Sequence, residues 1–430
     1  MMKRLAFAFF MTAATVFQVG AQTPVEKPLA LADPYILVED GVYYAYGTTG
    51  DSGIEVFSST DLENWERLGW ALRKEQTSCP KWFWAPEVYN VNGRYLMYFS
   101  GNEKIRAMAS YAYKTYIEND HCITFADTHD NKMLLQLNIV YPFGLYLNDR
   151  TMREFGAYIA KRKDIMNNAA GLYDKSGNYP TLARELFFIN NINNLLAEQP
   201  NEPLLSDVWM PNLQIMTARR ADMFVAMKGG NNGESHNHND VGSFVVYSDG
   251  EPLIIDPAVG EYTSKTFSNR RYEIWTMQSQ YHNLPQINGA DQRDGKQFAA
   301  ANAKYKKGSL SLDIKGAYPA EADVKRWMRT VSISKGGIVT VNEDYELSKS
   351  QGATKLMLIT IAKPELAAKG VIKIGNRCIE YNANQLDVAI ESISDKLDPL
   401  LQRIWGSEMY RIVMTVKGNP AKGKIRYRIS

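Results

Sequence analysis

The hydrophobic period of this chain changes twice, and a fold of one class cannot accommodate that. From Ala32 to about Gly101 short alternating runs are broken by tight turns. From Lys104 to about Ala197 apolar residues recur at three- to four-residue spacing, as in IRAMASYAYKTYI, KMLLQLNIVYPFGLYL and TLARELFFINNINNLLA. That spacing predicts helices. From Asp207 to the end the alternation returns, in DMFVAMKGG, GSFVVYSDGEPLIIDP, GIVTVNEDYEL, KLMLITIAKP and the terminal RIVMTVKGNPAKGKIRYRIS. Many alternating strands with turn residues between them predict an antiparallel β-sandwich. The expected fold class is mixed and mainly β. Its parts are partial propeller-like blades at 22–101, a helical block at 102–205 and a large sandwich at 206–430.

The first block contains a repeat. Asp40-Gly41 aligns with Asn92-Gly93, which brings Tyr43 onto Tyr95 and Tyr46 onto Tyr98. Each unit reads strand, Asp-Gly or Asn-Gly turn, strand, a strong hairpin signature. A repeat of about 50 residues with several strands per unit suggests propeller blades. Two such units cannot close a propeller, so open strand edges and self-association through them are expected.

Residues 1–21 read MMKRLAFAFFMTAATVFQVGA: two cations, an apolar run and a small-residue end. This is the pattern of a secretory signal peptide, and it predicts a periplasmic or secreted protein. Thr12, Thr15 and Gln18 interrupt the run, which falls short of the roughly 20 residues a membrane span needs, so stable membrane insertion is not expected. Lys plus Arg number 49 and Asp plus Glu 47, and the surplus pair, Lys3 and Arg4, lies in that leader. No basic excess remains to support nucleic-acid binding. Three cysteines, Cys79, Cys122 and Cys378, allow at most one disulfide and exclude a cysteine-rich zinc site.

Chemistry concentrates in the third block. Three of the five histidines, His236, His238 and His282, lie there among asparagines. His236 and His238 are two apart, a spacing that puts both on one face of a strand. An Asp249-Gly250 turn folds the chain back, so a following strand ending at Asp256 returns toward His238. His282 arrives later, in SQYHNLP. Two imidazoles and a carboxylate are a common ligand set for a zinc-like ion. His238, Asp256 and His282 are therefore the expected ligands of a zinc-like ion, leaving His236 for other work. A polar surface stripe is the competing reading of any His-x-His pair.

The segments GESHNHNDVGSFVVYSDGEPLIIDPAVGEYT, RRYEIW and SQYHNLPQING resemble the C-terminal domain of heparinase II/III-like polysaccharide lyases. YKTYIENDHCITFADTHDNK and the helices after it resemble the last part of that family's α/α-toroid. The likeness covers roughly residues 103–430. It implies that His236 stands at a catalytic centre and that His238, Asp256 and His282 bind a structural metal. It also implies that Tyr262 and Arg271 line a sugar groove. The implied reaction is β-elimination in a uronic-acid glycan of heparin, heparan or alginate type, an anionic polysaccharide. The family's catalytic Tyr comes from toroid helices before the Phe-Ala-Asp motif, here Phe125-Ala126-Asp127, and that helix has no counterpart. Full lyase activity is therefore not expected of this chain alone, and a glycan-binding remnant without catalysis is the alternative.

ADPYILVEDGVYYAYGTT, SSTDLENWERLG and KWFWAPEVYNVNGRYLMYFSG resemble the opening of glycoside hydrolase family 43, over residues 28–101. Asp33 matches that family's general base. An inverting hydrolase needs a second carboxyl as acid, and the later blades that carry it in that family are missing. A family 43 type glycoside hydrolase using Asp33 as base is the further alternative, although as a lone carboxyl Asp33 is expected to be inactive. A fusion of two truncated carbohydrate-active genes accounts for all three blocks.

Overall fold

The computed structural model describes residues 24–25, 29, 31–48, 52–77, 83–91, 93–128, 137–167 and 188–430. The expected leader, Cys79 and His129 lie outside the described residues. The chain divides into two compact units. One comprises Met1–Tyr111 with Val140–Arg153, the other Ala112–Ile139 with Glu154–Ser430. This division cuts across the helical block read at 102–205.

In the first unit, β1 (Pro24–Val25), β2 (Ala32–Glu39), β3 (Val42–Thr48), β4 (Gly53–Ser59) and β5 (Trp65–Arg73) form an antiparallel sheet in the order β1-β5-β4-β3-β2. β6 (Phe83–Val91) and β7 (Arg94–Gly101) form a hairpin. The turn of the β2–β3 hairpin carries Asp40 at φ 49° and Gly41 at φ 80°, the two positive dihedrals a two-residue turn of this hand requires. Tyr46, Ile54, Val56, Leu72, Phe83 and Val88 pack into one apolar cluster. Both strand–turn–strand units of the tyrosine repeat form hairpins, β2–β3 and β6–β7, the first of them part of a five-stranded sheet. The helical runs fold as α1 (Asn102–Lys114), α2 (Leu137–Tyr146), α3 (Arg150–Arg162) and α4 (Ile192–Ala197).

The second unit contains the sandwich. β8 (Asp207–Met210), β9 (Ile215–Arg220), β10 (Met223–Lys228), the short β11 (Asn231–Asn232), β12 (Phe244–Ser248) and β13 (Glu251–Ile254) follow in sequence. All but β11 make an antiparallel sheet ordered β13-β12-β10-β9-β8. An eight-stranded sheet and a four-stranded sheet are built from residues 285–429. β10 and β12 are buried along their whole length, because both faces of their sheet are covered. Val225, Met227, Phe244 and Val246 share a core with Leu310, Trp327, Val331 and Val341. Phe224, Ala226, Val245 and Tyr247, one residue out of phase, face Ile117, Ile123 and Phe125 instead. Burying a large apolar side chain contributes about 1.5–3 kcal/mol, so residues 117–125 are fixed against this sheet. They lead straight into Asp127.

Candidate functional site

The loop 233–243 between β11 and β12 carries the His-x-His pair, and it departs from expectation. It is a series of turns and bends, not a strand. His236 adopts φ 60°, a left-handed conformation uncommon for a residue with a Cβ. The two imidazoles therefore do not share a strand face. His238 is wholly buried, whereas the His236 side chain is 51% exposed.

A carboxylate from the distant Phe-Ala-Asp motif joins them. Asp127 Oδ2 lies 3.0 Å from His236 Nδ1, and Asp127 Oδ1 lies 3.1 Å from His238 Nε2. Arg271 Nη2 donates to Oδ1 at 2.6 Å and the Tyr262 hydroxyl to Oδ2 at 3.1 Å. Asp127 N also donates to His236 O at 3.2 Å. Burial raises the carboxyl pKa of Asp127. The hydrogen bonds from His238 and Arg271 outweigh it and hold the group well below the usual carboxylate range. Being ionised, Asp127 only accepts, so both imidazoles present an N–H to it.

The second cluster lies behind this one. His238, Asp256 and His282 are all fully buried, and each offers one ligand atom within 4.8 Å of the others. The His238 and His282 ring centroids are 5.4 Å apart. The Asp249-Gly250 turn forms as read from the sequence, at φ 53° and 78°, and returns the chain along β13 toward Asp256. Asn283 fixes its neighbour His282. Its amide donates to Phe244 O at 2.6 Å and Ile255 O at 2.8 Å, and its carbonyl accepts from Ile359 N at 2.8 Å. Asp256 Oδ2 accepts from His282 Nδ1 at 2.8 Å and from Ser243 Oγ at 3.3 Å. Burial lowers the His238 pKa. Burial also opposes charge on His282, but the Asp256 carboxylate more than compensates and raises it.

Do these residues suit a metal? His238 Nδ1 and His282 Nε2 are buried nitrogens with no hydrogen-bond partner among the described residues. A buried polar atom left unsatisfied costs about 1–3 kcal/mol. Two bare imidazole nitrogens beside a buried carboxylate are satisfied together by a cation, so the set fits a zinc-like ion. The Asp127 carboxylate on the far side of His238 is the outer partner that metal-ligating histidines ordinarily have.

The remaining sequence candidates are placed as follows. Tyr262 is 41% exposed. Burial first, then the Asp127 charge, pushes its phenol up to about 12, so it stays protonated at neutral pH. Arg271 is mostly buried, and its three nitrogens donate to Asp127 Oδ1, Asn237 O and Thr266 O. Asp33 lies in β2, with its side chain outside the described residues. Sequence reasoning did not single out Asp127, Asn283 or Phe267. Phe267 is 70% exposed and makes edge contacts with both His236 and Tyr262. Phe125-Ala126-Asp127 was visible as a motif, but nothing local links it to a loop more than a hundred residues later. Cys378 is a free thiol.

Residues 202–351 match the family model described as Heparinase II/III-like, C-terminal, and residues 22–122 match Glycosyl hydrolases family 43. Residues 202–351 are thus similar to the C-terminal domain of heparinase II/III-like proteins, and residues 22–122 to family 43 glycosyl hydrolases. No curated protein matches the sequence. Among solved structures, heparan sulfate lyase HepC from Pedobacter heparinus is 13% identical, with a TM-score of 0.47, covering 75% of this chain and 45% of that one. A structure of heparinase III is 15% identical, with a TM-score of 0.48, covering 76% and 47%. An endo-arabinanase of family 43 from Bacillus licheniformis is 13% identical, with a TM-score of 0.14, over 71% and 96%. The chain spans about half the length of the two lyase structures.

Proposed function

We propose that this is a secreted or periplasmic lyase-like protein whose exposed site at His236 receives an anionic, uronate-bearing polysaccharide. His238, Asp256 and His282 hold one zinc-like ion with a structural role. The observation that carries this reading is the juxtaposition of two bare, buried imidazole nitrogens with an exposed imidazole, joined through one carboxylate. The leader-like residues 1–21 support export. Among the described residues no helix is long and apolar enough to cross a membrane.

In β-elimination the C5–H bond breaks, its electrons form the C4=C5 double bond, and the C4–O bond breaks. The C5 proton is weakly acidic, so the neighbouring carboxylate must be neutralised or hydrogen-bonded as negative charge builds. His236 is the base or the carboxylate partner. With Nδ1–H on Asp127, its Nε2 takes the proton, and Asp127 stabilises the imidazolium that results. The ion, when bound, supplies a fixed positive charge that ties the His238 loop to the segments carrying Asp256 and His282. The departing oxygen needs a proton donor. By the resemblance, the family's Tyr comes from a helix for which the sequence before Phe125 offers no match, so turnover is expected to be weak.

A second reading, glycan binding without turnover, is favoured by one observation: the Arg271 guanidinium is occupied by protein acceptors. Hydrolysis led by Asp33 is not proposed, since one carboxyl alone cannot serve as both base and acid in an inverting site.

Incubation with heparan sulfate or alginate, followed by ultraviolet absorbance of the unsaturated uronate, separates these readings. A rise abolished by His236→Ala supports elimination; binding without a rise, surviving His236→Ala, supports the second. Elemental analysis should find about one zinc-like ion per chain, lost in His238→Ala. A metal-free yet fully stable wild type would refute the metal site.

A further inference from the structure

We infer that Asp127 is a positioning residue that fixes His236 with Nδ1 protonated and Nε2 bare, and couples that geometry to the metal ligand His238. The inference rests on the reading of His236 as the group that meets substrate, and it names what sets that group's orientation.

The two oxygens of Asp127 have different neighbours. Oδ1 receives the buried pair, His238 Nε2 at 3.1 Å and Arg271 Nη2 at 2.6 Å. Oδ2 receives the exposed pair, His236 Nδ1 at 3.0 Å and Tyr262 OH at 3.1 Å. Four donors fill the four acceptor positions of a carboxylate. An imidazole that turned a bare nitrogen toward the ionised Asp127 would lose its own contact there. One carboxylate therefore selects both tautomers. It leaves Nδ1 of His238 bare, the atom that lacks a partner inside the buried cluster. It leaves Nε2 of His236 as the basic atom of a half-exposed ring.

The backbone adds an independent constraint. His236 sits at φ 60°, a strained conformation for a residue with a side chain. The conformation aims its carbonyl at Asp127 N, 3.2 Å away. Asp127 thus grips His236 by both main chain and side chain. Asp127 is itself anchored by Phe125 in the apolar cluster beneath, while Thr124 Oγ1 donates to Asp256 O at 2.9 Å. The segment that orients His236 is therefore also hydrogen-bonded to a metal-ligand residue. A cation held at His238 Nδ1 would polarise the ring and strengthen its Nε2–H donation to Oδ1, so loss of the ion would reach His236 through Asp127.

The test uses the full-length chain labelled with 15N-histidine, at a pH above the imidazole titration. Long-range proton–nitrogen correlation reads each tautomer directly. Wild-type His236 is expected in the Nδ1–H form. Asp127→Asn should shift it toward the Nε2–H form and weaken zinc about 10–100-fold in a chelator competition, the usual effect of losing an outer carboxylate. If that variant does not fold, stripping zinc from the wild type gives a second readout. His236 resonances should move on stripping and return on reloading with zinc. A wild-type His236 in the Nε2–H form overturns the inference, as do unchanged tautomer and zinc affinity in Asp127→Asn. So do His236 resonances indifferent to zinc. The tautomer readout needs no turnover, so a failed lyase assay and a failed positioning role are told apart.

Discussion

Glu343→Gln should destabilise the sandwich more than any surface change, and the cost follows from its contacts. Arg329 and Glu343 are directly opposed on neighbouring strands, Val324–Ile333 and Val339–Leu347. Both side chains are wholly buried, with Arg329 Nη2 2.6 Å and Nε 2.8 Å from Glu343 Oε1. Trp327 Nε1 donates to Glu343 Oε2 at 2.7 Å while its ring stacks on Tyr345. Burial disfavours the Arg329 charge, and the Glu343 carboxylate restores and raises its pKa. A neutral amide removes that compensation and sets an NH2 group or a weaker acceptor against the indole N–H. Removing one member of a buried pair costs about 3–5 kcal/mol. With a urea slope of about 3 kcal/mol per molar, the midpoint falls by roughly 1–1.7 M. Far-ultraviolet circular dichroism along a urea titration is the assay. The effect reaches the candidate site too, because Arg329 Nη1 donates to Gly242 O at 2.9 Å and Asn283 O at 2.5 Å. Zinc should therefore be lost earlier in the titration. A double Arg329→Met, Glu343→Leu variant should recover much of the loss. A Glu343→Gln protein within about 1 kcal/mol of wild type would refute the reasoning.

Asp398 should matter for the same region. Its Oδ1 accepts from Leu401 N at 2.9 Å, capping the helix Pro399–Trp405, and its Oδ2 accepts from Glu261 N at 2.8 Å, beside Tyr262. Asp398→Ala is expected to cost about 1–2 kcal/mol by urea titration and to speed amide exchange at Glu261; unchanged exchange would count against this link. The depressed pKa of Asp127 gives a signed pH effect. Folding favours its ionised form, so that contribution is complete above the ordinary carboxylate pKa of about 4 and is lost as pH falls through the lower folded value. With chelator present, Asp127→Asn should flatten the acid side of the stability–pH curve, and an identical slope would contradict the assignment.

How much of the site was legible depends on sequence distance. The Asp249-Gly250 turn and the strands beside it form as read, because turn dihedrals and alternation are local properties. Asp256 follows from that hairpin, and the structure brings it to His238 and His282. The His-x-His strand was wrong. Asp127 holds His236 at positive φ, and a contact spanning more than a hundred residues leaves no trace in local pattern. β10 and β12, read as alternating strands, are instead buried on both faces. The cover on one face, residues 117–125, is the segment that delivers Asp127.

The sequence by itself marked where the hydrophobic period changes, the hairpin turns and the histidines and carboxylates able to carry chemistry, since each follows from side-chain period or residue type over a short span. Only the tertiary structure decided which nitrogen of each histidine is bare, that Arg271 is engaged by protein acceptors, and that Asp127 joins the buried cluster to the exposed ring. Those outcomes are set by hydrogen-bond geometry between segments far apart along the chain, and such geometry exists only once the sheets have packed.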